Sequence, residues 1–271
     1  MVSFFGSKKA PAPPPVVPPP IPRSGPQVDA TTVISLLAVL ALLAGAYGAS
    51  IKLLPKTATL KTRVLFVWHL FDALIHFVFE GSFLWNCFFV TYALPTSFSA
   101  ASRNHAHITL FTPPDVYWLG RPDLLYGANY GTGPLSRLWQ EYAKADKRWG
   151  GTDLTVVTLE ILTVFVAGPL ACWVCYLLTK EKRKLSTYFW MVVLATAEIY
   201  GGWMTFAPEW LTGSPNLDTS NWMYLWLYLF FFNGLWVVFP VWILYEVYQA
   251  MSSAMSQAEM VDLVNYLKKD D

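Results

Sequence analysis

The run His69-Leu70-Phe71-Asp72-Ala73-Leu74-Ile75-His76-Phe77-Val78-Phe79-Glu80 sets four ionisable side chains into a segment, 64–92, that is otherwise apolar and long enough to cross a bilayer. They are separated by three, four and four residues. On a helix that spacing lines them up as one continuous stripe. An acid near the bilayer centre costs about 2.5–3.5 kcal/mol on insertion scales. A stripe holding Asp72 and Glu80 therefore cannot face lipid and has to turn inward, toward a site shared with other helices.

Four more segments qualify as spans. Residues 30–51 and 219–245 carry no charge, 154–179 carries only Glu160, and 185–208 carries only Glu198. The expected fold class is thus an all-α polytopic membrane protein, with five transmembrane helices bundled around an intramembrane polar cavity. Composition agrees. Of 271 residues, 55% are apolar, 17% aromatic and only 14% charged, against about 25% charged in a soluble domain. Mean hydropathy is +0.38. These values exclude a soluble enzyme and a disordered chain. A net charge of +1 supplies no basic field for nucleic acid. Cys87, Cys172 and Cys175 lie in apolar runs, which excludes a disulfide scaffold; the last two have CxxC spacing without a second pair and read as small core residues.

Residues 1–29 form a proline-rich leader, with Pro13-Pro14-Pro15 and Pro18-Pro19-Pro20, that reads as an extended tether. The first transmembrane helix is expected at 30–54. It starts too far in and runs too long for a signal peptide. Short loops set the orientation. Lys180, Lys182, Arg183 and Lys184 mark one loop as cytosolic, as do Lys52, Lys56, Lys61 and Arg63 for another. The loop at 209–221 has no Lys or Arg. The N-terminus and the long loop 93–153 are then lumenal, and the tail 249–271 is cytosolic. Lys268 and Lys269 resemble a dilysine retrieval signal, which points to the endoplasmic reticulum membrane.

The inward acids admit several uses: proton donor and acceptor for acid–base chemistry, hydrogen bonding between helices, an ion path, or a metal held by His69, His76 and a carboxylate. Four histidines are too few for a membrane desaturase or hydroxylase. Asn233 and Trp236 lie mid-span, three residues apart on one face. A buried Asn needs partners, and a Trp beside it can stabilise a cation. His105 and His107 read as solvated loop residues.

The motif His76-Phe77-Val78-Phe79-Glu80-Gly81 resembles the first signature of the emopamil-binding protein, or EXPERA, family. So do Leu138-Trp139-Gln140-Glu141-Tyr142-Ala143-Lys144-Ala145-Asp146, Glu160 with Gly168-Pro169, Ile199-Tyr200-Gly201, and Phe232-Asn233-Gly234-Leu235-Trp236. The resemblance spans 61–248, in order, and implies a four-helix membrane domain with a lumenal loop. It implies a sterol isomerase that shifts a double bond from Δ8 to Δ7 by protonation, a carbocation and deprotonation, with no redox cofactor and no metal. It carries catalytic roles onto His76, Glu80 and Glu160, and polar-relay and cation-stabilising roles onto Asn233 and Trp236. Asp72, Glu198, Tyr200 and Trp149 are expected to contact substrate. The chain departs from the family in having Gly202 where an aspartate is expected, Glu198 for a glutamine, Trp149 for a tyrosine, and Asp72 and His69 as additions. Alternatives are a specialised terpenoid or steroid isomerase, a cyclase, or a non-enzymatic sterol- or amine-binding relative. The expected partners are a sterol or isoprenoid substrate and the lipid bilayer, with no nucleic acid; a compact bundle of this kind is compatible with a homodimer.

Overall fold

A computed structural model describes residues 28–94, 112, 116–180 and 185–267. Most of the leader, His105, His107, the loop residues 181–184 and the Lys268-Lys269 pair lie outside the described residues. Helix α1, Ala30–Leu53, starts at a capping box in which the Asp29 side chain accepts from the Thr32 amide and Thr32 reaches back to Asp29. Helix α2 runs Leu60–Phe89. A short helix, α3, spans Pro134–Tyr142 with proline in its first turn. Then come α4, Leu154–Leu178, and α5, Leu185–Leu211. The last helix, α6, is π-helical over Met223–Phe232 and α-helical over Asn233–Leu267.

Helices α1, α2, α4 and α6 are long and apolar enough to cross a membrane. The expected fifth span is a 27-residue helix, α5. Its Glu198, Gly201-Gly202 and scattered Tyr, Thr and Trp dilute its apolar character, so it stands outside that group of four. Helix α6 continues to Leu267, into the segment expected as the cytosolic tail. The fold is also not purely helical: Thr91–Ala93 (β1) and Leu124–Tyr126 (β2) pair antiparallel, Tyr92 opposite Leu125.

The main core packs Leu65, Phe66, Trp68 and Phe71 of α2 against Val174 of α4, Met191 and Ala195 of α5 and Ile243 of α6. Around it, Leu37, Leu40 and Phe165 point outward, as expected of helices solvated by lipid rather than water. Cys175 is buried as expected, but Cys172 is exposed.

The described residues 116–153 of the long loop form a cap. Trp139 and Trp149 stack at 5.0 Å with planes 8° apart. Phe83 of α2 and Tyr142 close around them, and Trp139 Nε1 donates to Ser82 Oγ at 2.9 Å. A buried fork ties the cap to α5: Arg148 donates to both carboxylate oxygens of Asp146, at 2.9 and 2.6 Å, and to the Thr205 carbonyl at 2.6 Å. Burial pushes the Asp146 carboxyl up from its ordinary value, against the pull of Arg148. Lys147 N–H then reaches the Asn216 carbonyl, between α5 and α6.

Candidate active site

Three helices that carry candidate residues widen into π turns next to them. In α2 the turn covers Ile75–Glu80, where the Gly81 amide donates to the His76 carbonyl. In α4 it covers Thr163–Ala167, just past Glu160, and the Gly168 amide donates to the Thr163 carbonyl. In α6 it ends at Asn233. Pro169 gives a local reason in α4, since it has no N–H to continue the α-helical ladder. Gly168 supplies the fit: a Cβ there would lie 3.0 Å from the Phe77 ring and 3.3 Å from His76 Cβ. Its absence lets the two π turns approach. Single-turn π segments like those of α2 and α4 are frequent at functional sites.

The stripe on α2 is therefore not one regular α-helical line, yet three of its members touch. His76 Nδ1 is 2.5 Å from Glu80 Oε2. His76 Nε2 is 3.1 Å from Asp72 Oδ1, an ion-pair distance that lacks hydrogen-bond alignment. Trp236 Nε1 donates to the same Asp72 oxygen at 2.8 Å. Glu160 on α4 has Glu80 as its strongest charged neighbour, and its Oε2 accepts from Thr163 Oγ1 at 3.0 Å. Glu198 on α5 has Asp72 as its strongest charged neighbour, then His76. The result is two carboxyl pairs, Glu80–Glu160 and Asp72–Glu198, with the His76 imidazole between them.

This cluster borders a cavity of about 1060 Å³. His76, Glu80, Glu160, Glu198, Asn233 and Trp236 line it, together with Tyr200 at an exposed edge and Trp149 at the cap. Asp72 is fully buried and does not line it. It sits behind His76 and Trp236, whereas the sequence places it against substrate. The cavity differs from the expected polar one: most of its wall is aliphatic and aromatic, and the ionisable groups form one patch. His69 is buried on the same helix with neither ring nitrogen bonded among the described residues.

Asn233 does not bond a carboxyl among the described residues. Its amide donates to the Tyr142 hydroxyl at 3.0 Å and to the Tyr228 and Leu229 carbonyls. Tyr142, whose hydroxyl burial pushes well up, thus joins the cap to the last helix. Its neighbour Glu141 is a second junction: its Oε1 accepts from Thr32 on α1 at 2.9 Å and from Tyr228 on α6 at 3.0 Å, and its Oε2 pairs with Lys144. Sequence reasoning gave Tyr142 and Glu141 no role. The available signal was an acid and a phenol one residue apart on a short, strongly amphipathic helix.

Comparison with known proteins fits that geometry. The family described as EXPERA (EXPanded EBP superfamily) matches residues 134–247, which run from the cap helix through the last span. That match covers 114 of the 271 residues. The 3-beta-hydroxysteroid-Delta(8),Delta(7)-isomerase of Cavia porcellus is 35% identical over 106 residues, 39% of this chain and 45% of that protein. The Mus musculus protein of the same name is 30% identical over 122 residues, 45% and 52%. The protoglabretal synthase of Ailanthus altissima is 28% identical over 140 residues, 51% and 60%. The chain spans about half the length of these curated relatives. The EXPERA segment supplies Glu160, Glu198, Asn233 and Trp236, while α2, with His76 and Glu80, lies N-terminal to it.

Proposed function

We propose that the chain is a membrane-embedded isomerase that moves a carbon–carbon double bond in a sterol, from Δ8 to Δ7, or in a related polycyclic isoprenoid. One observation carries this reading: Glu80, Glu160, Glu198 and the His76 imidazole line one patch of a large apolar cavity, with Asp72 buried behind them. An apolar wall suits a fused-ring hydrocarbon, and pockets for small molecules occupy about 300–1,000 Å³. The patch suits a reaction that adds one proton to an alkene and takes another away.

Two carboxyl groups in contact need a proton between them, so the Glu80–Glu160 pair serves as donor. His76 fixes Glu80, and the Thr163 hydroxyl fixes Glu160. Protonation of one alkene carbon leaves a tertiary cation on the other. Trp236 lines the cavity there, and the face of an indole attracts a cation. Water is held out by the stacked cap, which leaves these fixed groups acting at low dielectric. Ammonium amphiphiles imitate such a cation and should compete for the cavity. Asn233 acts here by holding the cap to α6, through Tyr142, rather than by orienting a carboxylate. The protein would reside in the endoplasmic reticulum membrane, with a lumenal N-terminus and a cytosolic C-terminus, as the loop charges suggest.

A second reading, a specialised terpenoid enzyme, draws on the open space at Gly201, Gly202 and Gly234, where an added Cβ meets nothing within 4 Å. The relative from Ailanthus altissima gives it a precedent. The test uses purified protein equilibrated in deuterated water, one turnover on a Δ8 sterol, and mass spectrometry. Δ7 product with one solvent deuteron, lost in Glu160→Gln, is the expected result. No conversion by folded protein would overturn the sterol reading.

A further inference from the structure

We propose that Glu198 and Asp72 are positioning residues for Trp236: Glu198 keeps a proton and donates it to Asp72, and Asp72 accepts from the indole N–H, which fixes the ring against the cation. This rests on the isomerase reading, in which Trp236 meets that cation. The sequence resemblance gives Trp236 its role and includes neither acid. The structure ties the three together from three helices: Asp72 on α2, Glu198 on α5 and Trp236 on α6.

The first link is the indole. Trp236 Nε1 donates to Asp72 Oδ1 at 2.8 Å. Asp72 is fully buried and outside the cavity lining, so the N–H edge points into the wall and the rest of the ring is left to line the cavity. Trp68 and Phe71 pack tilted against that ring, at 5.6 and 6.3 Å between centroids. Among the described residues, Asp72 is the polar contact that sets the ring's rotation. The second link is a set of buried oxygens. Asp72 Oδ2 and both Glu198 oxygens are closed off and meet no hydrogen-bond donor among the described residues. Asp72 is the strongest charged neighbour of Glu198. Two carboxyl groups so placed hold one proton between them. Asp72 has an indole donor on Oδ1 and the His76 imidazole 3.1 Å from it, which favour its charged form. Glu198 has neither and is the protonated partner, and Asp72 Oδ2 is left to accept from it.

Neither acid makes or breaks a bond to substrate. The Glu198 O–H and the Trp236 N–H both point at the Asp72 carboxylate, and linked hydrogen bonds polarise one another in a low dielectric. A carboxylate on the N–H leaves the indole ring richer in electron density, and the ring face is the part that attracts a cation. Without the Glu198 proton, Oδ2 of Asp72 would be a buried charged oxygen with no donor, a costly arrangement that favours swinging the carboxylate off the indole. Two acids behind the cavity wall thus act on the cation through one ring.

The experiment measures the binding of two probes in detergent: an 8-aza sterol, whose ring ammonium takes the place of a cation at C8, and the neutral Δ7 sterol. The proteins are wild type, Asp72→Leu, Glu198→Leu, Glu198→Gln and Trp236→Phe, with the two leucine changes also made in Trp236→Phe, which keeps a ring and lacks the N–H. Binding is the readout because Asp72 also lies beside His76, and kcat would mix the two contacts. Asp72→Leu and Glu198→Leu should each weaken the ammonium probe by about tenfold, within the range of a desolvated cation–π contact, and the neutral sterol by less than about twofold. In Trp236→Phe the same changes should cost less than about twofold, the outcome of a double-mutant cycle for residues that act through the indole. Glu198→Gln, whose amide still donates to Asp72, should recover most of what Glu198→Leu loses. An undiminished loss in Trp236→Phe would show the acids acting through their charge, and Glu198→Gln binding as weakly as Glu198→Leu would show that no donated hydrogen is involved; either overturns the proposal. So does an equal loss for both probes, the mark of a merely structural role. If one leucine variant does not fold, the other supplies the same cycle. Failure of folded wild type to convert a Δ8 sterol overturns the isomerase reading, and it is read from turnover rather than from these affinities.

Discussion

Replacing Arg148 by Met should unlatch the cap. Arg148 is 2% exposed and its partner Asp146 is 0% exposed. The guanidinium meets both Asp146 oxygens and the Thr205 carbonyl, and Glu209 Oε1 lies 3.7 Å away. Methionine keeps much of the aliphatic stem, so packing loss is minor and the orphaned carboxylate dominates. Breaking a buried ion pair by removing one partner costs about 3–5 kcal/mol. At about 2–4 °C per kcal/mol for a chain of this size, Tm should fall by roughly 6–20 °C in a detergent melt. The pH dependence carries the sign. Burial raises the Asp146 carboxyl above its ordinary 3.8, and Arg148 opposes that. A raised acid contributes stability that is present below its unfolded value and lost as pH rises through its folded one. Without Arg148 the folded value climbs further, so the deficit should be smallest near pH 4 and grow toward neutrality. Adding Asp146→Asn, which removes the charge, should recover part of the loss in a double-mutant cycle. A Tm within about 2 °C of wild type, or a deficit that grows toward acid, would refute the reasoning.

Two glycines should respond in opposite directions. Gly202→Ala places a Cβ in open space within α5 and should stabilise by about 0.5–1 kcal/mol through helix propensity, whereas Gly168→Ala pushes against Phe77 and His76 Cβ and should lower both Tm and turnover; thermal melts and rates on the same preparations check both. Thr32→Val removes the hydroxyl that α1 donates to Glu141 and should cost about 1.5–3 kcal/mol, the range for a hydrogen bond to a charged group, while Thr32→Ser retains stability; chemical denaturation of the two variants distinguishes them.

Much of the fold was legible because the bilayer is a strict solvent. It demands about 20 apolar residues per crossing, and 30–51, 64–92 and 154–179 read accordingly. Helix α5 shows where that rule weakens: a helix that builds a cavity wall needs Glu198, glycines and aromatics, and these erode the composition that marks a span. The cap was opaque for a different reason. Its order comes from the Trp139–Trp149 stack and from the Arg148–Thr205 and Lys147–Asn216 contacts. Partners some 60 residues apart leave no periodic trace in the chain.

The site shows how far insertion cost alone carries an argument. Asp72, Glu80, Glu160 and Glu198 were singled out because each is expensive in a membrane, and the structure brings them together around His76. That logic says only that the acids must meet. It is blind to which of them reaches the cavity, because that depends on the partners each one meets. His76 and Glu80, in the π turn from Ile75 to Glu80, line the cavity, while Asp72, just before it, sits behind His76 and Trp236. The marks in the sequence were the glycines that follow two of the turns, Gly81 and Gly168, and Pro169. Eight residues at about 100° each leave Asp72 and Glu80 about 80° apart on a regular helix, and a π turn, with more residues per turn, narrows that angle. What separates the two acids is the partner each meets: Trp236 holds Asp72 behind the wall, and Glu80 reaches the cavity beside His76.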